Sequence, residues 1–212
     1  MKPPVPSDID LLRIQVRTLF RLDAVGRLVP PSPRIFVGSA AGERLFRIRS
    51  DIHESTSRRW LRCAGDSELR ELVEAHAPIT AEYRGPAYAL PPLTPPPEAV
   101  EIRPGAALHP ELVARGWMPV EQPPYFGVIC DGLVVAVCFS ARSTPEAAEA
   151  GVETAESYRG RGLATLAVAG WAAAVQASSR LALYSTTWEN TGSQRVAAHL
   201  GAREYGEDWH LT

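Results

Sequence analysis

The chain has 212 residues, a length that allows one or two domains. Hydrophobic residues make up 45% and charged residues 22%, as in ordinary folded proteins, and the formal net charge is only -2. This weak charge gives no basic field, which argues against nucleic acid and anionic lipid as partners. No apolar run nears the roughly 20 residues of a membrane helix, and residues 1–6 carry no signal core. We therefore expect a cytoplasmic protein without membrane contact. The three cysteines lack metal-type spacing, so no metal is expected.

Residues 1–90 form an N-terminal α+β region in our interpretation. Ser7 and Asp8 are suitable caps for a first helix, whose apolar residues recur at helical spacing. Glycines separate the two runs of a predicted hairpin. In chain order the predicted elements are a helix over residues 9–22, strands over 34–37 and 44–48, and a helical stretch over 57–75 with a break near 64–65.

Seven prolines lie between Pro78 and Pro97. Proline cannot continue a helix or donate a hydrogen bond within a central strand. We therefore predict a linker or an extended surface strap here. The domain boundary is placed in this stretch, between the region 1–90 and a second domain over residues 98–212.

The second half of the chain has a more regular pattern of short strands and helices. Asp131-Gly132 separates two β-rich runs and is typical of a type I′ hairpin turn, which needs positive φ at both positions. The pattern predicts the α/β class. The predicted elements are helical turns over 111–117, strands over 125–130, 133–140 and 148–154, a helix over 163–177, a strand over 181–186, a helix over 191–200 and a strand over 203–211.

A glycine-rich turn, Tyr158 to Ala164, lies between a predicted strand and a predicted helix. Such a turn directs backbone N–H groups toward one point in front of the helix dipole, and glycine lets an anion approach closely. The P-loop lysine is absent, and Thr165 stands where a dinucleotide motif has its third glycine. From these residues alone, two further interpretations stay open. The turn has a structural role only, or it belongs to an unrelated phosphate- or nucleotide-binding α/β protein.

The turn resembles a motif of the GCN5-related N-acetyltransferases (GNAT), Gln/Arg-x-x-Gly-x-Gly/Ala, filled by Arg159, Gly162 and Ala164. The stretch from Asn190 to Ala202 resembles the family's second helix, which opens with Asn-x-x-Ala/Ser. The resemblance covers roughly residues 98–212. It implies an N-acetyltransferase with acetyl-CoA as co-substrate and a small-molecule or peptide amine as acceptor, and homodimers are common in the family.

The resemblance also implies a fold and a binding site. The fold is a GNAT-like mixed sheet that splays open between two parallel strands, with the N-terminal helix and hairpin as an extension. The region 1–90 is then a degenerate GNAT-like half or a cover for the substrate side. Pantetheine is expected along Val152 to Thr154, and Asn190 and Ser193 near it or the thioester, although Asn190 also suits a plain helix cap. The pyrophosphate is expected on the main chain of Arg159, Gly160, Arg161, Gly162, Leu163 and Ala164.

Catalysis by this family needs a base for the amine proton, because the amine attacks the thioester directly. Glu149 and Glu153 are the candidate bases, since residues four apart on a strand share one face. We favour Glu153 as nearer the thioester, with a solvent-facing or backbone-bonded role as the alternative for either.

The family's thiolate-protonating tyrosine has no counterpart on the second helix, where the corresponding residue is Ala197. Tyr184 and Tyr205 lie nearby in sequence, and a core or edge position is the alternative for each. A non-catalytic acyl-CoA-binding protein of the same fold is therefore the alternative function. The identity of the acceptor stays open.

Overall fold

A computed structural model describes residues 6–117 and 123–212. These residues form six α-helices and nine strands. In chain order they are α1 (Asp8–Leu19), β1 (Ile35–Ala40), β2 (Glu43–Ile48), α2 (Glu54–Trp60), α3 (Asp66–His76), β3 (Glu82–Ala89), β4 (Ala99–Glu101), α4 (Pro110–Ala114), β5 (Tyr125–Cys130), β6 (Leu133–Ser143), β7 (Ala147–Thr154), α5 (Leu163–Ala177), β8 (Leu181–Ser185), α6 (Thr191–His199) and β9 (Arg203–Leu211).

The chain divides into two compact units. The first comprises the residues up to Ala87 together with Thr186–Trp188 and Tyr205–Thr212, and the second comprises Tyr88–Ser185 and Glu189–Glu204. In the first unit β1 pairs antiparallel with both β2 and β9. Its core includes the fully buried side chains of Trp60 and Leu69. The predicted N-terminal helix and hairpin are both present.

Helix α1 begins where the sequence places its cap. The Ser7 hydroxyl accepts a hydrogen bond from the Asp10 amide, as an N-cap serine does. The helix ends at Leu19, three residues before the predicted end, because Phe20 is already extended. Leu12 of this helix lies so close to β1 that a Cβ at Gly38 would be 3.1 Å from it.

The prediction that residues 78–97 form only a linker or surface strap is wrong for their first half, which contains β3. Gly85, Pro86 and Ala87 are buried. The Pro86 carbonyl accepts a 3.3 Å hydrogen bond from the Thr186 amide, so the missing proline N–H costs this contact nothing. A Cβ at Gly85 would lie 1.9 Å from the Thr186 carbonyl oxygen, and only glycine permits so close an approach.

The second unit is built on a mixed sheet with the order β8-β7-β6-β5-β4. The contacts from β4 through β7 are antiparallel, and β7 pairs with β8 in parallel. The predicted hairpin turn has φ of 50° at Asp131 and 80° at Gly132. The predicted α/β class with a mixed sheet is therefore confirmed.

Helix α5 supplies the largest core of the second unit. It spans the predicted residues and packs against β5 and β6, with Trp171 fully buried in this core. Gly170 lets the helix approach the sheet, since a Cβ there would lie 2.6 Å from the Phe126 ring. A second cluster around Leu112 of α4 includes Val137 of β6. This cluster also contains Ala155, the residue directly after β7.

Candidate active site

Strands β7 and β8 part near the middle of β7. Their parallel register runs from Ala147 opposite Leu181 to Glu149 opposite Leu183. Strand β7 continues to Thr154 and stays paired with β6. Among the described residues no further β7–β8 register pair follows Glu149. The end of β7 therefore presents a strand edge along which an extended polar chain is able to hydrogen-bond.

A cleft of about 650 Å³ lies beside this edge, within the second unit. It is lined by the end of β7, the glycine-rich turn, the first turn of α5, one residue of β8 and one side of α6. These residues are Val152, Glu153, Thr154, Tyr158, Arg159, Gly160, Gly162, Leu163, Ala164, Thr165, Tyr184, Asn190, Gly192, Ser193, Arg195, Val196 and His199.

The glycine-rich turn leaves its backbone donors unused. Gly160 and Gly162 have φ of 76° and 78°, and Gly162 is the N-cap of α5 without any side-chain cap bond. Within residues 6–117 and 123–212, the amides of residues 160–165 donate to no backbone or side-chain acceptor outside regular helix bonds. The first turn of a helix has no internal acceptor for its N–H groups and carries the positive end of the dipole. This arrangement suits a phosphate or diphosphate.

Thr154 adds an unsatisfied group to the same cleft. Its side chain is 7% exposed, and its Oγ1 has no hydrogen-bond partner in the described part of the chain. Buried hydroxyls normally have a partner. A ligand with a polar chain along β7 and a diphosphate at the turn, as acyl-CoA has, fits both the hydroxyl and the free amides.

The arginines of the turn are held by neighbouring groups. Arg159 Nη2 lies 3.0 Å from Glu153 Oε1, and its Nε donates to the Thr154 carbonyl. Arg115 Nη1 lies 3.2 Å from the other oxygen of Glu153. Arg161 Nη2 donates to a carbonyl of the preceding 3-10 turn. These contacts hold the turn in place. The anion-binding part of the turn, here called the amide cradle, consists of the main-chain N–H groups of residues 160–165.

Glu149 and Glu153 lie on the same face of β7 in different surroundings. Glu149 is 4% exposed, and its Oε1 accepts a 2.7 Å hydrogen bond from Ser185 at the end of β8. It lies where β7 and β8 part and is absent from the cleft lining. Glu153 lines the cleft close to the glycine-rich turn, between the two guanidinium groups.

Three polar groups meet at the start of α6. Asn190 Oδ1 accepts a 3.1 Å hydrogen bond from the Ser193 amide, so Asn190 is the helix N-cap and also lines the cleft. The hydroxyls of Ser193 and Tyr184 are hydrogen-bonded to each other. Burial raises the pKa of Tyr184 to about 12, partly opposed by that hydrogen bond. The phenol is therefore neutral at physiological pH.

The structure gathers most of the sequence-predicted residues in one place. All the predicted site residues line the cleft except Arg161 and Glu149. The predictions omitted Arg195 and His199, which follow Gly192 by three and seven residues and so lie on its side of α6. They also omitted Arg115, for which the sequence has no signal because it precedes its partner Glu153 by 38 residues.

The described residues show neither a metal-type cluster of side chains nor a membrane-spanning helix. No group of three or more His, Cys, Asp or Glu side chains suited to a metal ion occurs there. No helix there has the length and apolar character needed to cross a membrane.

Comparison with known families matches residues 126–207 to the family described as GNAT acetyltransferase. The matched region contains the glycine-rich turn, the second predicted motif and the cleft residues. The predicted resemblance to this family is confirmed. A comparison with curated proteins finds no match.

Solved structures described as GNAT-family proteins are similar to part of this chain. A GNAT-family acetyltransferase structure from Novosphingobium aromaticivorans is 22% identical with a TM-score of 0.52, and the match covers 63% of this chain and 65% of that chain. A GCN5-related N-acetyltransferase from Kribbella flavida is 22% identical with a TM-score of 0.48, covering 68% of this chain and 63% of that one. The chain thus spans less than two thirds of either structure. The first likeness establishes the GNAT-like fold.

Proposed function

Because residues 126–207 match the family described as GNAT acetyltransferase, we propose that the protein transfers the acetyl group of acetyl-CoA to an amine of a small molecule or peptide. The amine attacks the thioester directly while both substrates are bound. One observation carries this proposal: the unused amides of residues 160–165 at the start of α5, beside the open edge of β7.

The cleft supplies separate partners for each part of the co-substrate. Acetyl-CoA supplies the activated acyl group as a thioester. The amides of the glycine-rich turn bind the diphosphate, and the main chain of Val152 to Thr154 binds the pantetheine arm. The orphan hydroxyl of Thr154 gains a partner in the same step. Binding along a fixed strand edge positions the thioester for attack.

Glu149 is the better placed base, although the sequence favoured Glu153. Glu153 is neutralised by Arg115 and Arg159 at the turn, so we assign it to holding Arg159. Ser185 takes the proton of the attacking amine and passes its own to Glu149, along the 2.7 Å hydrogen bond. The N–C bond forms as the C–S bond breaks, the amine proton stays on the Ser185 hydroxyl, and the former Ser185 proton ends on Glu149.

Tyr184 supplies the proton of the departing thiolate. Tyr184 is one of the residues that line the cleft, and its hydroxyl is hydrogen-bonded to the Ser193 hydroxyl at the start of α6. A neutral phenol is able to donate its proton to the sulfur. After product release, the proton held by Glu149 returns to the Tyr184 phenolate through solvent. This assignment replaces the tyrosine that the second helix lacks, where Ala197 is buried.

A second candidate function is acyl-CoA binding without turnover. The absence of any tyrosine between Asn190 and Gly201 favours it. In that case the cleft binds acyl-CoA and no acceptor amine increases thiol release.

Two assays test the proposed function. In a thermal-shift assay, acetyl-CoA is expected to raise the unfolding temperature while ATP and NAD do not, because ligands that bind the folded state stabilise it. In a thiol-release assay with acetyl-CoA, at least one member of an amine panel is expected to increase release above the amine-free rate. Stabilisation without amine-dependent release would favour the binding protein, and stabilisation by ATP or NAD alone would contradict both functions.

A further inference from the structure

The α6 side of the cleft carries two side chains that are able to bind an anion. Arg195 and His199 of α6 both line the cleft and are both exposed. They are four residues apart, which places them on one side of the helix at about 6 Å along its axis.

These two side chains differ from the arginines at the turn. Arg159 and Arg161 are held by Glu153, Thr154 and Ser157. For Arg195 and His199, the part of the chain that the structure describes provides no ion pair, hydrogen bond or ring contact. Among the described residues that line the cleft, these two basic side chains are therefore available to bind a ligand.

The charge of the cleft supports an anionic ligand on its α6 side. Glu153 is the one carboxylate among the described residues that line the cleft, and it is neutralised by Arg115 and Arg159. The α6 side thus has an uncompensated guanidinium and an imidazole beside it. A phosphomonoester carries up to two negative charges and three acceptor oxygens, which matches an arginine with a second donor.

We infer that Arg195 and His199 bind the 3′-phosphate of the coenzyme A ribose and so select coenzyme A over its dephosphorylated form. This inference rests on the proposed function, because the diphosphate must occupy the amide cradle before a second phosphate reaches α6. The amide cradle binds the diphosphate, which both forms carry. Arg195 and His199 bind the 3′-phosphate, which only coenzyme A carries.

Isothermal titration calorimetry with coenzyme A and with dephospho-coenzyme A tests the inference. The unmodified protein is expected to bind coenzyme A about tenfold more tightly, as for a charge-assisted contact weakened by solvent. Arg195→Ala is expected to remove most of this preference by weakening coenzyme A binding alone, and His199→Ala to remove a smaller part. Higher salt is expected to reduce the preference in the unmodified protein.

Arg103→Ala is the matched control, since Arg103 is an exposed arginine of the same unit outside the cleft lining. It is expected to keep the full preference. Equal binding of the two ligands by the unmodified protein, or an undiminished preference in Arg195→Ala, would overturn the inference while leaving the proposed function intact. Failure of both ligands to bind would overturn the inference together with the proposed function.

Discussion

The Ser185 hydroxyl donates a 2.7 Å hydrogen bond to Glu149 Oε1 at the point where β7 and β8 stop pairing. The contact joins the ends of two parallel strands just where the sheet opens. The contact places a hydrogen-bonded hydroxyl and carboxylate next to the strand edge that we assign to the pantetheine arm of the thioester.

Replacing Glu149 by Gln should lower kcat by about 100-fold or more, because the amide cannot accept the amine proton. The dissociation constant of acetyl-CoA should change little, since Glu149 does not line the cleft. Steady-state kinetics and calorimetry give the two quantities separately.

Glu153→Gln is the comparison variant for this experiment. It removes the charge that holds Arg159 and Arg115, so it should weaken acetyl-CoA binding and lower kcat less than Glu149→Gln does. The reverse ranking of the two kcat values would return the role of base to Glu153.

Replacing Tyr184 by Phe should lower kcat by about 100-fold, because the thiolate then leaves without a proton donor. The ring stays buried, so the fold and acetyl-CoA affinity should be kept. Bound coenzyme A, titrated by the ultraviolet absorbance of its thiolate, should show the higher thiol pKa in the variant, because the phenol no longer stabilises the anion. An unchanged kcat and an unchanged thiol titration would exclude this role.

Tyr184 should also make stability fall in alkaline solution. Burial raises its pKa to about 12 in the folded chain, against about 10 in the unfolded chain. The folded state therefore binds more protons between these values, and stability falls as pH rises through this window. The difference corresponds to about 3 kcal/mol, present below pH 10 and lost by pH 12.

Urea unfolding at several pH values above 9 measures this effect. The unfolding free energy of Tyr184→Phe should fall less steeply than that of the unmodified protein. Tyr125, whose pKa burial also raises to about 12, contributes equally to both proteins. Identical slopes would show that Tyr184 does not titrate as assigned.

Gly85→Ala should destabilise the first unit by about 3 kcal/mol or more, since its Cβ would lie 1.9 Å from the Thr186 carbonyl oxygen. Gly65→Ala is the control in the same unit, because its Cβ would meet nothing within 4 Å. That variant should lose less than about 1 kcal/mol. Denaturant unfolding compares the two, and equal losses would mean that β3 does not approach Thr186 as described.

Local signals in the sequence predicted the elements that carry the cradle. The apolar periodicity of Leu163–Ala177 gave both ends of α5, and Asp131-Gly132 gave the hairpin turn, because each depends on neighbouring residues alone. Strand β3 was missed because its prolines argue against a strand in the sequence. The Pro86 carbonyl nevertheless accepts a hydrogen bond from the amide of Thr186, which is distant in sequence. The short β4 was missed as well.

Our proposal for the parts of the site that the sequence left open rests on long-range contacts. The ranking of Glu149 and Glu153 depended on Arg115 and Ser185, whose proximity follows from folding and not from spacing. The Tyr184–Ser193 contact joins a strand to the next helix, so sequence reasoning named the tyrosine without its partner.

The central claim is that main-chain amides at the start of α5 bind the diphosphate of acetyl-CoA. Calorimetric titration of Gly162→Val with acetyl-CoA tests it most directly, because a side chain at φ 78° strains the turn and blocks anion approach. Gly132→Val carries the same kind of strain at φ 80° in a hairpin away from the cleft. We predict that binding is lost in Gly162→Val and kept in Gly132→Val. Unchanged acetyl-CoA affinity in folded Gly162→Val would contradict the account.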